Sequence, residues 1–377
     1  MTGPRYAFFD DYPLERGHHP DLAVGLALAA SAPLYCPPSF LDGRPEARSL
    51  RHTPTIASPD QHLEETRRNL DRSIEDAASL SSDTFVNLFF DENWDSFPVS
   101  RRGLRHVQAL HRPGELTGTL GGINAIKRAD PLAVVNALAR TDLFVVHTPV
   151  GEQQARAWLP ADRVLRAGWP TATEAEIRRR IVLGRHRGEN PYVLLVGEAL
   201  DYKGIDVLVE AVDPGPLLRI AGNLTYPGPD WLAAQHPGAR VQWEPGWVAR
   251  DRMSELVAGA SVVVFPYHDG FQKHGGVSGA LVNAMTFGKP LVISEALAGQ
   301  VPQSPACQVV PCGDVHELRR AIDHAMKNTA DLHQAAGDLT DYLLRQHTYE
   351  GHLDRIAERL DELNRPARAA DASDRRG

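Results

Sequence analysis

The sequence predicts an α/β protein built from two doubly wound, Rossmann-like domains. Three observations carry this. A length of 377 residues suits two domains of ordinary size. Eight short apolar runs recur along the chain, each ending in polar residues, and they lack the alternation of strands with one wet face, as parallel strands covered on both sides do. Amphipathic patterns such as PLAVVNALAR and RDRMSELVAGA lie between the runs and supply the covering helices.

In chain order the strand-like runs are RYAFFDD (5–11), FVNLFFDEN (85–93), HVQALHRPG (106–114) and DLFVVHTP (142–149). After a break come YVLLVGE (192–198), LLRIAGN (217–223), SVVVFPYHDG (261–270) and PLVISEA (290–296). In the break, Pro170 interrupts the chain and Thr173 is placed to cap a helix rich in Glu and Arg. The first domain is therefore expected over 1–170 and the second over 171–345. A helix at 346–364, with Leu353, Ile356, Leu360 and Leu363 at helical spacing, is expected to return toward the first domain, and residues 365–377 form a tail with nothing apolar to pack.

The composition narrows the function. A formal net charge of −8 and an isoelectric point near 6.1 argue against neutralisation of a nucleic-acid backbone. Cys36, Cys307 and Cys312 form no disulfide framework or metal-binding pair, and no His/Cys/Asp cluster has metal-ligand spacing, so no metal is expected. The N-terminus lacks a complete signal-peptide core, and no stretch approaches the roughly 18 apolar residues of a membrane span. A cytoplasmic protein without stable membrane insertion is the expectation.

Ligands of open parallel sheets bind outside the carboxyl ends of the strands. Those ends carry Asp10, Asp11, Asp91, Asn93, His111 and His147 in the first half, and Glu198, Asn223, His268, Asp269 and Glu295 in the second. The most informative stretch runs from Asp269 to Ser294. There the backbone N–H groups of Gly275, Gly276, Val277, Ser278 and Gly279 precede the helical pattern ALVNAM, with Lys273 beside them, a pattern suited to an anion. The glycines admit close approach, and Ser278 is either a hydroxyl donor or an ordinary helix cap. In VGEALDYKGIDVLVEA a buried strand ends at Gly197, and Lys203-Gly204 precedes a helix, which brings Lys203 to the same strand ends.

At these two stretches the chain resembles the retaining glycosyltransferases of the GT-B architecture, the family 4-like group that includes sucrose synthases, bacterial glycogen synthases and mannosyltransferases. VLLVGEALDYKGIDVLVEAV is similar to the family's Lys-Gly stretch, LLRIAGN to its next strand and ASVVVFPYHDGF to its Pro-Ser/Tyr strand. VSGALVNAMTFGKPLVIS is similar to the Glu-Ala-Met-Ala…Gly-x-Pro-Val-Val block. Upstream, HVQALHRPG resembles the strand that delivers a cleft histidine, and RVLRAGWP the short strand before the linker. Two departures stand out. The family's diphosphate-binding arginine falls on Glu198, and its paired glutamates fall on Gly275 and Asn283.

The resemblance implies two domains facing across a cleft, and transfer of a hexosyl group from a UDP- or GDP-type sugar to an acceptor hydroxyl with retention of configuration and no metal. The donor would be a co-substrate, not a cofactor. Lys203 and the Gly275–Gly279 loop would hold its diphosphate with Lys273, Asn223 and Glu198 nearby, Asn283 would lie at the ribose, and Gly17 would approach the diphosphate. His111 would face the reacting sugar. Asp10, Asp11, His18, Asp91 and Asn93 are the candidates for the acceptor, and carboxylates suit a soluble polyol, aminosugar or natural-product hydroxyl. A lipid-linked or surface-polysaccharide acceptor is the second reading, drawn from the arginines and lysine of 101–128, although acidic residues outnumber basic ones over 1–170. A third is a silent GT-B protein that binds sugar nucleotide or sugar phosphate as a partner. Oligomeric state and the identities of base, sugar and acceptor are not encoded in any recognisable motif.

Overall fold

The structure is a computed structural model that describes residues 5–11, 19–55, 62–90, 103–116, 138–185, 191–197, 201–223, 231 and 234–365. The chain divides into two compact units, one of Met1–His147, Glu152–Ala167 and Glu350–Gly377, the other of Thr148–Gly151 and Gly168–Tyr349.

In the first unit seven parallel strands form one sheet: β1 (Tyr6–Phe9), β2 (Leu34–Cys36), β3 (His52–Pro54), β4 (Thr84–Asn87), β5 (Arg105–Leu110), β6 (Leu143–Val146) and β7 (Val164–Arg166). Their order, β3-β2-β1-β4-β5-β6-β7, reverses direction between β1 and β4. On one face Phe9, Tyr35 and Phe85 pack with Leu70, Ile74 and Ala77 of the helix His62–Ser79. The helix Tyr349–Asn364 buries Leu353, Ile356 and Leu360, while Leu363 stays half-buried. Within this unit the Tyr6 hydroxyl donates to the Leu353 carbonyl at 3.0 Å. Burial is the main force that raises the Tyr6 phenol pKa far above its ordinary value, so it stays a neutral donor.

In the second unit six parallel strands follow: β8 (Tyr192–Val196), β9 (Leu217–Gly222), β10 (Val241–Pro245), β11 (Val262–Phe265), β12 (Leu291–Ser294) and β13 (Cys307–Val310). The order is β10-β9-β8-β11-β12-β13, with the reversal between β8 and β11. Val193, Leu195, Val264 and Val292 form a core with the helices Ile205–Ala211 and Val315–Lys327. Thr173 caps the helix Glu174–Gly184 by accepting from the Glu176 N–H at 3.3 Å, as its position before the Glu/Arg segment implies.

All eight apolar runs contain strands, but the described sheets hold thirteen, so five were not among the runs. The shortfall is physical. β2 and β3 have three residues each, and β3 is a half-exposed edge of polar composition. β10 and β13 are the edges of their sheet, with only partial burial and no continuous apolar run. β7, an edge of the first sheet, was expected only from the resemblance. The tail 366–377 and most of PLAVVNALAR lie outside the described residues.

Candidate active site

A strand order that reverses leaves a crevice at the carboxyl ends of the two strands beside the reversal, because the connections depart in opposite directions there. Each sheet has one such place, and each is rich in polar side chains.

In the second unit the reversal lies between the ends of β8 and β11. β8 ends at Gly197, whose φ of +109° only glycine adopts without strain. A Cβ placed there would stand 3.1 Å from Lys203 Nζ and 3.2 Å from Ala280 Cβ, so the lysine and the first turn of the helix Gly279–Met285 meet over this glycine. Lys203 arrives on the one-turn helix Asp201–Lys203 and is 6% exposed. Its ammonium stands 5.1 Å from the centroid of the Tyr267 ring, which follows β11, and the ring face stabilises the cation. The Tyr267 hydroxyl is 3.0 Å from Ser278 Oγ. Gly204, at φ +64°, brings the turn against the Pro266 carbonyl, where no side chain fits.

The loop after β11 ends its helical turn Asp269–His274 at Gly275, φ +68°. Its carbonyl groups are held from outside. Thr148 Oγ1 donates to the Gly275 oxygen at 2.6 Å, and Gln300 Nε2 donates to the Gly276 oxygen at 3.2 Å. Gln300 Oε1 also accepts from the Ser278 N–H at 2.8 Å. Ser278 caps the helix by accepting from the Leu281 N–H at 3.3 Å, so the capping role open in the sequence is the one its hydroxyl performs. Among the described residues, the N–H groups of Gly276, Val277, Gly279 and Ala280 have no acceptor. Carbonyls tied back and N–H groups left open give a concavity of the kind that suits an anion, beside the buried lysine.

The other donor-side candidates are dispersed. Asn283 is half-buried, and its amide oxygen accepts from Arg180 Nη1 at 2.8 Å. Asn223 is exposed at the end of β9, and Lys273 is exposed on the turn Asp269–His274. Glu198 and Gly17 lie outside the described residues.

In the first unit the reversal lies between β1 and β4. Asp10 and Asp11, at the end of β1, are buried. Asp10 Oδ2 stands 3.5 Å from Nδ1 of His19, at the start of the helix His19–Ala30. The His19 ring stacks on His111, at the end of β5, with centroids 5.0 Å apart and planes 14° apart. Phe89 meets both rings edge-on, at 4.5 and 4.9 Å. His111 then contacts His147 at 5.6 Å, and His147 stacks on His352 at 5.9 Å. The His147 Nδ1 is 3.0 Å from the Ala167 carbonyl and so carries a proton. Asp10 and His111 thus belong to one row of side chains, whereas His18, Asp91 and Asn93 lie outside the described residues.

His19, Phe89, Tyr267, Thr148 and Gln300 join these contacts without having been marked as candidates in the sequence. His19 stands at the start of the helix His19–Ala30, and that helix start was the signal that could have marked it. Tyr267 stood inside the quoted FPYHDG segment. Thr148 and Gln300 carried no local signal, because each acts on a loop remote in the chain.

Among the described residues no group of three or more His, Cys, Asp or Glu side chains is arranged to hold a metal, and no helix is long and apolar enough to cross a membrane.

Comparison with known proteins agrees with this geometry. The fold is that of GT-B proteins. A glycosyltransferase from Rickettsia africae superposes with a TM-score of 0.66 at 10% identity over 97% of this chain and 100% of its own. HepE of Anabaena, solved with UDP and glucose, gives 0.66 at 14% identity over 95% of this chain and 99% of its own. The sucrose-phosphate synthase of Thermosynechococcus elongatus gives 0.64 at 17% identity over 96% and 99%. No curated protein sequence matches the chain. The family described as Glycosyl transferases group 1 matches residues 190–328, which span β8 to the helix Val315–Lys327. Over that segment the chain is similar to the group 1 glycosyltransferases.

Proposed function

We propose that the protein transfers a hexosyl group from a UDP- or GDP-type sugar to a hydroxyl of a soluble polyol, aminosugar or natural-product acceptor, with retention and without a metal. The observation that carries the donor side is the meeting of the buried Lys203 ammonium with a loop whose carbonyls are tied back and whose N–H groups are open. Departure of a nucleoside diphosphate needs positive charge and preorganised donors at the leaving oxygens, which stabilise developing charge at no reorganisation cost. The UDP held by HepE of Anabaena supports a nucleoside diphosphate as the group bound in such a site.

For the acceptor side, the support is that Asp10 and Asp11 are buried at the end of β1 instead of solvating a loop. A buried carboxylate favours a polar ligand with hydroxyl or amino hydrogens over an apolar one. His111, stacked on His19, is assigned to the reacting face of the sugar.

The test is calorimetric titration with a panel of nucleoside diphosphates, followed by turnover with the matching sugars. Binding of UDP or GDP in the micromolar range that falls about 10²-fold in Lys203→Ala, in a protein that still melts cooperatively, is the expected result. Equal binding by the variant removes Lys203 from the site, and binding without transfer or donor hydrolysis turns the reading to a non-enzymatic GT-B protein.

A further inference from the structure

We propose that Thr148 and Gln300 are positioning residues that set the direction of two peptide groups in the donor loop. This rests on the reading of that loop as a diphosphate cradle. The argument begins with the peptide bond. In a planar trans peptide the C=O and the following N–H point in opposite directions, so fixing one fixes the other. Thr148 Oγ1 donates to the Gly275 carbonyl at 2.6 Å, which directs the Gly276 N–H the opposite way. Gln300 Nε2 donates to the Gly276 carbonyl at 3.2 Å, which does the same for the Val277 N–H. Both of these N–H groups are without an acceptor among the described residues.

Glycine makes such control necessary. Peptides flanking Gly275 and Gly276 rotate with little steric penalty, and a flipped peptide would present a carbonyl oxygen, which repels phosphate, in place of an N–H. The loop's own backbone contributes one described bond near this point, from the Gly275 N–H to the Gln272 carbonyl, and it restrains neither of the two peptides. The holding groups are themselves held. Thr148 is buried, and its oxygen accepts from the Gly151 N–H at 2.9 Å, which leaves its proton for Gly275. Gln300 reads the loop at two points, since its Oε1 accepts from the Ser278 N–H at 2.8 Å. Neither side chain carries charge, so neither attracts a diphosphate. Their effect is on where the loop's donors point.

The experiment uses the full chain and compares UDP and GDP with uridine and guanosine. Thr148→Val keeps the shape and removes the hydroxyl, Thr148→Ser keeps the hydroxyl, and Gln300→Leu removes both amide contacts. We expect Thr148→Val and Gln300→Leu each to weaken the diphosphate about tenfold, the effect of losing one oriented hydrogen bond, while nucleoside affinity is unchanged and Thr148→Ser binds like the parent. The backbone amide chemical shifts of Gly276 and Val277 in the ligand-free protein should move in Thr148→Val and not in Thr148→Ser. Equal loss for diphosphate and nucleoside, no loss, or unmoved amide shifts in Thr148→Val overturns the proposal. If Lys203→Ala weakens the diphosphate and Thr148→Val does not, the cradle stands and the positioning role falls. If the parent binds no nucleoside diphosphate, the cradle itself is wrong and the role assigned to Thr148 and Gln300 falls with it.

Discussion

Arg180 Nη1 donates to the Asn283 amide oxygen at 2.8 Å, and this bond ties the helix Glu174–Gly184 to the helix Gly279–Met285. The guanidinium is buried. It also donates to Thr286 Oγ1 at 3.1 Å and to Glu176 at 2.6 Å, and it lies over the Phe287 ring. Arg180→Met keeps the apolar stem and removes every donor, which leaves, among the described residues, the Glu176 carboxylate with only the exposed Arg250 and the Asn283 amide oxygen with no donor. A loss of about 3 kcal/mol in urea unfolding is expected, as when one partner of a buried ion pair is removed. A loss under about 1 kcal/mol would mean that the network relaxes around water.

Gly197 has a φ of +109° and sits against both Lys203 Nζ and Ala280 Cβ. In Gly197→Ala the backbone is strained and the added methyl presses on the lysine, whose flexible end moves more easily than the helix. Nucleoside diphosphate affinity should fall at least tenfold, and the thermal midpoint should fall as well. A variant that binds UDP or GDP like the parent places the diphosphate away from this glycine.

His111 is buried between His19, Phe89 and His147. His111→Gln preserves a polar side chain and removes the ring. If His111 faces the reacting sugar, kcat should drop about 10²-fold with a smaller change in the donor Kd. A change confined to thermal stability would make the row of histidines a packing feature alone.

Asp83 supplies a pH signature. Burial is the largest single influence and favours the neutral acid, but hydrogen bonds from the Thr84 hydroxyl, the Arg105 guanidinium and the Arg5 N–H together outweigh it and hold the pKa below the ordinary value. A carboxyl depressed in the folded state stabilises fully above its unfolded pKa, near 3.9, and that contribution is lost as pH falls through the folded value. Urea midpoints should therefore fall more steeply below about pH 4 in the parent than in Asp83→Asn. Parallel acid limbs would show that Asp83 is as well solvated when folded as when unfolded.

Burial raises the Cys307 thiol to about 12 and moves Cys36 well above its usual value, in each case with desolvation as the main cause. Cys312 is half-buried, so its sulfur is within reach of a reagent. At pH 8 a thiol reagent should label Cys312 rapidly in the native protein and the other two only on unfolding. Fast labelling of Cys36 would show that the end of β2 opens readily.

The sequence made the central strands legible because a strand covered on both faces must be apolar throughout, and eight runs had that character. Edge strands such as β10 and β13 face solvent on part of their surface, so their sequences are mixed and they escaped. Lys203 and the Gly275–Gly279 loop were legible for a similar reason, since a lysine beside glycines before a helix is a local chemical pattern. His19 was not legible, because its contacts with Asp10 and His111 join segments apart in the chain.

By itself, then, the sequence determined two parallel sheets and the course of their central strands, because the solvent exposure of a whole segment is written in its own residues. Tertiary structure decided the partners of the polar groups. Thr148 reaches Gly275 across 127 positions and Arg180 reaches Asn283 across 103. A hydrogen bond depends on a few tenths of an ångström and on direction, and only the packing of segments remote in the chain sets these. The same packing ties back the Gly275 and Gly276 carbonyls and so turns a glycine-rich loop into a set of open N–H donors.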